Sequence, residues 1–359
     1  MDEVPKIQYI TFLGQNQAHP SQMKNTIYDI AKIAHLSPAA VSLALRDSSE
    51  ISTKTREKVK AIARKLNYMP NSLARSLVVH STNILGVVVH EVNSPFLADI
   101  FQGIQEEANR QGYMVLYNPV SDSRESAVRT FVSKQVDGLI ILPTSKTKDD
   151  IEYLIESNFP FVLFSRRMFD DRADYVVCNN EKGAYDMVCH LAGLGHKRIA
   201  YITYPAMNSN FKERFEGYYR ALRDNGLEAS DELVFLTRDE ETDVPQNVEK
   251  LLSLKNRPTA VFTSGDIMAA RVIRMLKERN IRVPEDIAVT GFNNIELSEL
   301  YDPPITTVDH FGHEMGSRSV KLLLERMSGK KTGEPEHVII EPKLVVRKSC
   351  GAGLSWAKS

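Results

Sequence analysis

At 359 residues the chain exceeds one average domain, and its 42% apolar and 25% charged residues are ordinary for a globular protein of two or three units. No run approaches the roughly 20 apolar residues that span a bilayer. The net charge of -1 hides an asymmetry, because residues 24–82 hold ten Lys or Arg against four Asp or Glu (+6), whereas residues 83–359 carry -6. A basic head on an acidic body is the pattern expected when only the head meets nucleic acid, although a solvated surface accounts for the charge equally well. The N-terminus has no basic segment leading into a long apolar one, so it does not read as a secretory signal. Cys178, Cys189 and Cys350 form neither a CxxC pair nor a disulfide framework. Reduced thiols and a cytoplasmic protein are expected.

In chain order, residues 26–68 read as three short helices. Thr26 can N-cap the first, with Asp29 three residues on as a near capping box, and Ile27, Ile30, Ala31 and Ala34 share one face. His35-Leu36 make a tight turn. Ser37 caps a second helix with Pro38 at its first position, where a missing N–H costs nothing, and Val41 and Leu45 face inward. Ser52 opens a third helix with Val59, Ile62, Ala63 and Leu66 as its buried stripe. Two short helices joined by a turn and braced by a third form a helix-turn-helix, whose second helix lies in the major groove. The geometry alone also fits a generic three-helix bundle.

Residues 70–77, PNSLARSL, are helical in composition but too short to hold a helix in water. A polar stretch, residues 80–83, follows. Such a segment folds only against a partner surface, and Leu77 then suits wedging between base steps in a minor groove. The plainer alternative makes Leu77 a linker residue packed on the body.

Asp29-Ile30-Ala31, Ser37, Ala40-Val41-Ser42, Leu45, Ile51-Ser52, Thr55-Arg56, Val59, Leu66, Tyr68, Pro70-Asn71, Ala74 and Leu77 fall in the register of one known pattern. On these residues the head resembles the DNA-binding headpiece of the LacI/purine-repressor family. The resemblance implies that Leu77 inserts at the operator centre, that Tyr28, Ser42, Thr55 and Asn71 contact phosphates, and that Pro38, Ala39 and Leu43 occupy base-reading positions. Thr26, Ser37, Arg46 and Ala74 complete the expected DNA-contact set. The base-reading trio is more apolar here than is common in the family, which suits contact with thymine methyl groups, while Arg46 can reach guanine.

From Ile84 onward about ten apolar runs alternate with amphipathic helices, among them ILGVVV, GLIILP, RIAYITYP, TAVFTS and HVIIEPKLVVR. Near-continuous apolar strands between helices imply parallel sheets covered on both faces, and ten strands suit two doubly wound lobes. NSPFLADIFQGIQEEANRQGY, VDGLIILP, LGHKRIAYI, RFEGYYRAL, VPEDIAVTGFNN and PPITTVDH also resemble the family and the related periplasmic sugar-binding proteins. The expected architecture is therefore α/β. A three-helix helix-turn-helix headpiece (24–69) and a hinge helix with its linker (70–82) precede a two-lobed periplasmic-binding-protein-like body (83–350). By family topology the N-lobe takes 83–177 and 311–338, and the C-lobe 178–310 and 339–350. Residues 1–23 have no counterpart and are expected to be disordered or to precede a true start at Met23. The tail, 351–359, holds the only tryptophan, Trp356, and no leucine heptads for a tetramerising coiled coil.

Ligands of such folds bind beyond the carboxyl ends of the strands. Matching strings place Asn93, Phe96, Ser165, Arg166, Arg214, Asp266 and Asn293 around an effector cleft. Arg214 stands out because a guanidinium fork takes two ligand oxygens at once, although a surface salt bridge is the plainer role. Sugar-responsive relatives commonly have an acid where Ser165 stands, Asn or Thr where Gly265 stands, and Asp where Asn293 stands. The expected effector is a sugar or sugar derivative, with an anionic metabolite as the alternative and loss of ligand binding as a third reading.

The chain has no GxxxxGK[ST], GxGxxG, GxSxG or HExxH, and His190 and His196 lack acidic partners at metal-ligand spacing, so no enzyme, cofactor or metal is expected. A periplasmic solute receptor would share the body but not residues 24–82. The expected protein is a homodimeric transcription regulator, a repressor by family habit, on a palindromic operator. An effector between the lobes would shift the hinge between ordered and disordered states. Replacing Leu77 by Ala is expected to lower specific operator affinity by about tenfold or more while barely changing non-specific binding. Titration against an operator and a scrambled duplex at one salt concentration checks this, and equal losses on both would rule out the wedge.

Overall fold

The computed structural model describes residues 25–68, 81–120, 126–134, 136–168 and 171–354. The chain forms two compact units, divided between residues 79 and 80.

In the first unit, α1 (Ile27–Ala34), α2 (Pro38–Leu45) and α3 (Thr53–Lys65) enclose a small core. The Asp29 carboxylate accepts from the backbone N–H and the hydroxyl of Thr26 at 2.7 and 2.8 Å, fixing the entry to α1. The helix stops at His35, whose φ of 57° is left-handed. Ser37 Oγ accepts from Ala40 N–H at 3.1 Å to cap α2, and Ser52 Oγ from Thr55 N–H at 3.2 Å to cap α3. Ile30, Ala31, Ala34, Val41, Ala44, Val59 and Ala63 are buried; four of these seven are alanines, so the helices approach closely. Leu45, Ile62 and Leu66 pack on this core while partly exposed. Lys58 Nζ donates to Ala34 O at 3.0 Å, Arg56 to Asp47 O at 2.9 Å, and Lys60 pairs with Asp47 at 2.6 Å. Part of the head's positive charge thus serves its own fold.

The second unit holds two parallel sheets. The first comprises β1 (Ile84–Val89), β2 (Met114–Pro119), β3 (Gly138–Ile141), β4 (Phe161–Phe164), β5 (Tyr175–Cys178) and β11 (His337–Ile340), in the order β11-β5-β4-β3-β1-β2. The second comprises β6 (Ile199–Thr203), β7 (Val234–Leu236), β8 (Ala260–Thr263) and β9 (Ala288–Thr290), in the order β7-β6-β8-β9. Helices α4 (Pro95–Arg110), α5 (Ala127–Ser133), α6 (Lys148–Glu156) and α12 (Gly312–Met327) belong to the first lobe. Helices α7 (Asn180–Gly193), α8 (Ser209–Asp224), α9 (Glu240–Ser253), α10 (Asp266–Lys277) and α11 (Glu296–Leu300) belong to the second. Along β1, Leu85, Val87 and Val89 enter one core cluster and Val88 another. Both faces of the strand are therefore buried, and this is why it reads as an unbroken apolar run.

The strand count differs from the ten runs expected, because the described residues hold twelve strands. The run HVIIEPKLVVR is two strands broken at Glu341-Pro342: β11 pairs in parallel with β5, whereas β12 (Lys343–Val345) pairs antiparallel with β10 (Thr307–Asp309). A proline cannot donate to a ladder, and here it separates strands of different lobes. The last passage between lobes therefore falls at residues 341–342 rather than at 338. β10 itself is a three-residue strand, too short to stand out in the sequence.

The polar residues before β1 are fastened to the first lobe by Asp137. Its carboxylate accepts from Ser81 Oγ at 2.6 Å, from Thr82 N and Oγ1 at 2.7 Å each, and from Asn83 N at 2.8 Å. Helices α4 and α12 meet through glycines: a Cβ on Gly316 would lie 2.1 Å from Ile100 O, and one on Gly103 2.0 Å from His313 O. Because both obstacles are backbone, Gly316→Ala is expected to destabilise the body by about 2–3 kcal/mol through overpacking. Denaturant unfolding measures it, and a midpoint equal to that of the wild type would refute the close approach.

Candidate functional site

On the first unit, α2 turns Ala39, Ser42, Leu43 and Arg46 to one side, at helical spacing. Ala39 and Arg46 are exposed, while Pro38, Ser42 and Leu43 are half-buried. Arg46 Nε donates to Ser42 O at 3.2 Å, leaving the outer nitrogens of its guanidinium beyond the helix end. Thr26 and Ser37 are exposed at helix starts, Tyr28 is 70% exposed on α1, and Thr55 is half-buried beside Ser52 Oγ at 2.9 Å. An aromatic ring left so open on an eight-residue helix serves no core. Asn71, Ala74 and Leu77 lie outside the described residues.

On the second unit the expected ligand residues lie on the loops and helices that follow the carboxyl ends of strands in both lobes. Arg214, on α8, is buried, with only 3% of its surface exposed. Its Nε donates to Asn180 Oδ1 at 2.8 Å, one terminal nitrogen donates to Ser264 O, and the other to Asn293 Oδ1 at 3.2 Å. The guanidinium lies 3.6 Å from the centre of the Phe292 ring. Burial lowers its pKa to about 10, so it remains charged at neutral pH. Three of its five N–H groups are thus committed to the protein, and two are not spent in these bonds. Asn293, in the loop after β9, has a φ of 104°. Its backbone oxygen accepts from His310 Nδ1 at 2.7 Å. That bond requires the proton on Nδ1, and burial, which lowers the pKa of His310 to about 4, keeps the ring neutral. Phe96 stacks on His310 with centroids 5.0 Å apart. Arg214, Ser264, Asn293, His310 and Phe96 therefore form one connected wall.

Asp266 is also buried, but both of its oxygens are used by the chain itself. One accepts from Thr307 Oγ1 and the other from Ile295 N at 3.0 Å. Burial raises its pKa to about 7. It braces the loop after β9 instead of offering a free carboxylate. Ser165 is buried with a φ of 62°, and Asn93 is exposed in the loop before α4. Arg166, half-buried after β4, has a buried Nε with no hydrogen-bond partner among the described residues. Burial holds its pKa below the usual arginine value.

Arg166 Nε has company. His90 Nδ1 after β1, Thr144 Oγ1 after β3, Ser264 Oγ after β8 and His310 Nε2 after β10 are likewise buried without a partner among the described residues. An unsatisfied buried polar atom costs roughly 1–3 kcal/mol. These five atoms follow the carboxyl ends of strands in the two lobes. His90, Thr144 and His310 are absent from the sequence-derived site, although each is the polar residue that ends an apolar run (VVVH, ILPT, TTVDH). Among the described residues no group of His, Cys, Asp or Glu is arranged to hold a metal, and no helix is long and apolar enough to cross a membrane.

Comparison with known proteins places both units. Residues 26–71 match the model for bacterial regulatory proteins of the lacI family, and residues 188–350 that for a periplasmic binding protein-like domain. An HTH-type transcriptional repressor PurR from Mannheimia succiniciproducens is 33% identical over 329 residues, covering 90% of this chain and 98% of that one. The lac repressor dimer bound to operator and the anti-inducer ONPF superposes with a TM-score of 0.81 at 28% identity, covering 91% and 99% of the two chains. The complex of the transcriptional regulator CelR with cellobiose gives a TM-score of 0.68 at 28% identity, over 90% and 99%. A helix-turn-helix headpiece, a two-sheet body and a relative of this identity along nearly its whole length show that the chain belongs to the LacI family of DNA-binding transcriptional repressors.

Proposed function

We propose that this repressor acts in the cytoplasm as a homodimer on a palindromic operator, under the control of a sugar or sugar derivative bound between its lobes. The observation that carries the effector reading is the set of five unpartnered polar atoms at strand ends of both lobes. It provides donors (Arg166 Nε), acceptors (the imidazole nitrogens of His90 and His310) and hydroxyls that do either (Thr144, Ser264), a mixture suited to sugar hydroxyls. The similar CelR binds cellobiose. An anionic metabolite is the second reading, favoured by Arg166 and the two uncommitted N–H groups of Arg214 in a cleft where Asp266 is already engaged.

For DNA, Pro38, Ala39, Leu43 and Arg46 are assigned to base edges, and Tyr28, Ser42, Thr55 and Asn71, with Thr26 and Ser37, to phosphates. Ala74 and Leu77 are assigned to the hinge. Dimerisation is assigned to the edge of the first sheet, where β2 leaves Met114 61% and Leu116 41% exposed. Apolar side chains on a free edge strand invite pairing with a second copy.

Selection of duplexes from a random pool by the full chain, at one stated salt concentration, tests the DNA reading. Enrichment of a palindrome with a pyrimidine–purine centre is expected. No enrichment, alone or with metabolite extract added, would overturn it. Ser264→Ala tests the cleft: with no protein partner lost, stability should stay within about 0.5 kcal/mol of wild type. Affinity for whichever sugar, sugar acid or sugar phosphate binds the wild type should fall about tenfold, because a ligand polar group loses its partner. Unchanged affinity by calorimetry would remove Ser264 from the site.

A further inference from the structure

The two lobes also touch through a residue that the ligand-facing set does not include. Arg167 follows Arg166 at the end of β4, in the first lobe. Its backbone N–H donates to Ser209 Oγ at 3.1 Å, and its Nε to Glu213 Oε1 at 3.0 Å, both on α8 of the second lobe. Glu213 is well covered, its side chain 14% exposed, while Arg167 is 45% exposed. Burial raises the pKa of Glu213 despite the opposing arginine. Glu213 immediately precedes Arg214, so one turn of α8 turns a carboxylate to the other lobe and a guanidinium into its own. On the opposite side, neighbouring residues divide in the same way, with Arg166 Nε left unpartnered and Arg167 reaching across.

We propose that Arg167 is a positioning residue of the cleft, clamping the first turns of α8 to the end of β4 and thereby setting the separation of Arg166 from Arg214 and the degree of lobe closure. This rests on the reading of the cleft as the effector site. An ion pair that is partly covered and reinforced by a backbone hydrogen bond holds better than an exposed one, because its geometry is fixed and solvent screens it less. The clamp joins the lobes beside the crossing at residues 178–180, where Asn180 bonds both Glu213 and its neighbour Arg214. It is therefore a contact that rotation of one lobe against the other must break or keep as a unit.

Hydrogen exchange on the full chain without ligand tests the clamp. In Arg167→Ala and in the milder Glu213→Gln, amides of residues 205–215 and 163–168 should exchange about threefold to tenfold faster, as expected for loss of one partly covered ion pair. Amides in the centres of β1 and β8 should not change, which separates opening of the cleft from general loss of stability. The exchanged pair Arg167→Glu with Glu213→Arg should recover a good part of the protection. Unchanged exchange at both segments in both single variants would overturn the proposal, as would faster exchange spread evenly over the sheets. Because no ligand is present, the outcome is independent of whether a sugar binds. Failure of every metabolite to bind would remove the effector reading and leave the clamp standing.

Discussion

A guanidinium taken out of water must find its solvation in the protein, and the wall of the second lobe's cleft is built around that requirement at Arg214. Asn180, the carbonyl of Ser264 and the side chain of Asn293 accept from it, and Phe292 lies beneath its plane. These partners come from α7, from the end of β8 and from the loop after β9. One side chain therefore fixes the mutual position of three elements. His310 then hangs on the backbone oxygen of Asn293, and Phe96 of the other lobe stacks on His310. Losing the charge would leave several buried acceptors unpaired, a far larger penalty than any single contact would suggest.

The cleft pairs this satisfied scaffold with a layer that is unsatisfied. Asp266 spends both oxygens on Thr307 and Ile295, so its role is to hold the loop after β9 in place. The polar atoms left over belong to residues whose neighbours are already anchored. Ser264 Oγ sits on a residue whose carbonyl is bound by Arg214, and His310 Nε2 on a ring whose other nitrogen is bound to Asn293. Groups held rigidly but unpaired are suited to recognition, since a ligand meets them without an ordering cost.

The headpiece follows another logic. Its core is small and rich in alanine, and three of its basic side chains are tied to backbone or to Asp47, which stabilises a unit of marginal size. What it presents outward on α2 is short and mostly apolar, with Arg46 as the one long polar side chain on that face.

Much of this was legible in the amino-acid order. Caps at Thr26, Ser37 and Ser52, the helical spacing of Ile30, Ala31 and Ala34, and the unbroken apolar strands are local properties, because capping and periodicity act over a few residues. They sufficed for a three-helix head and a doubly wound body. What depended on tertiary structure were the long-range choices. The sequence does not say that Pro342 divides strands of two lobes, that Asp266 faces Thr307 rather than a ligand, or that Arg167 rather than Arg166 reaches Glu213. Each depends on which groups, distant along the chain, the fold brings beside a given donor or acceptor. Only the assembled sheets decide that, because a buried polar atom takes whatever partner the packing brings within 3 Å or so.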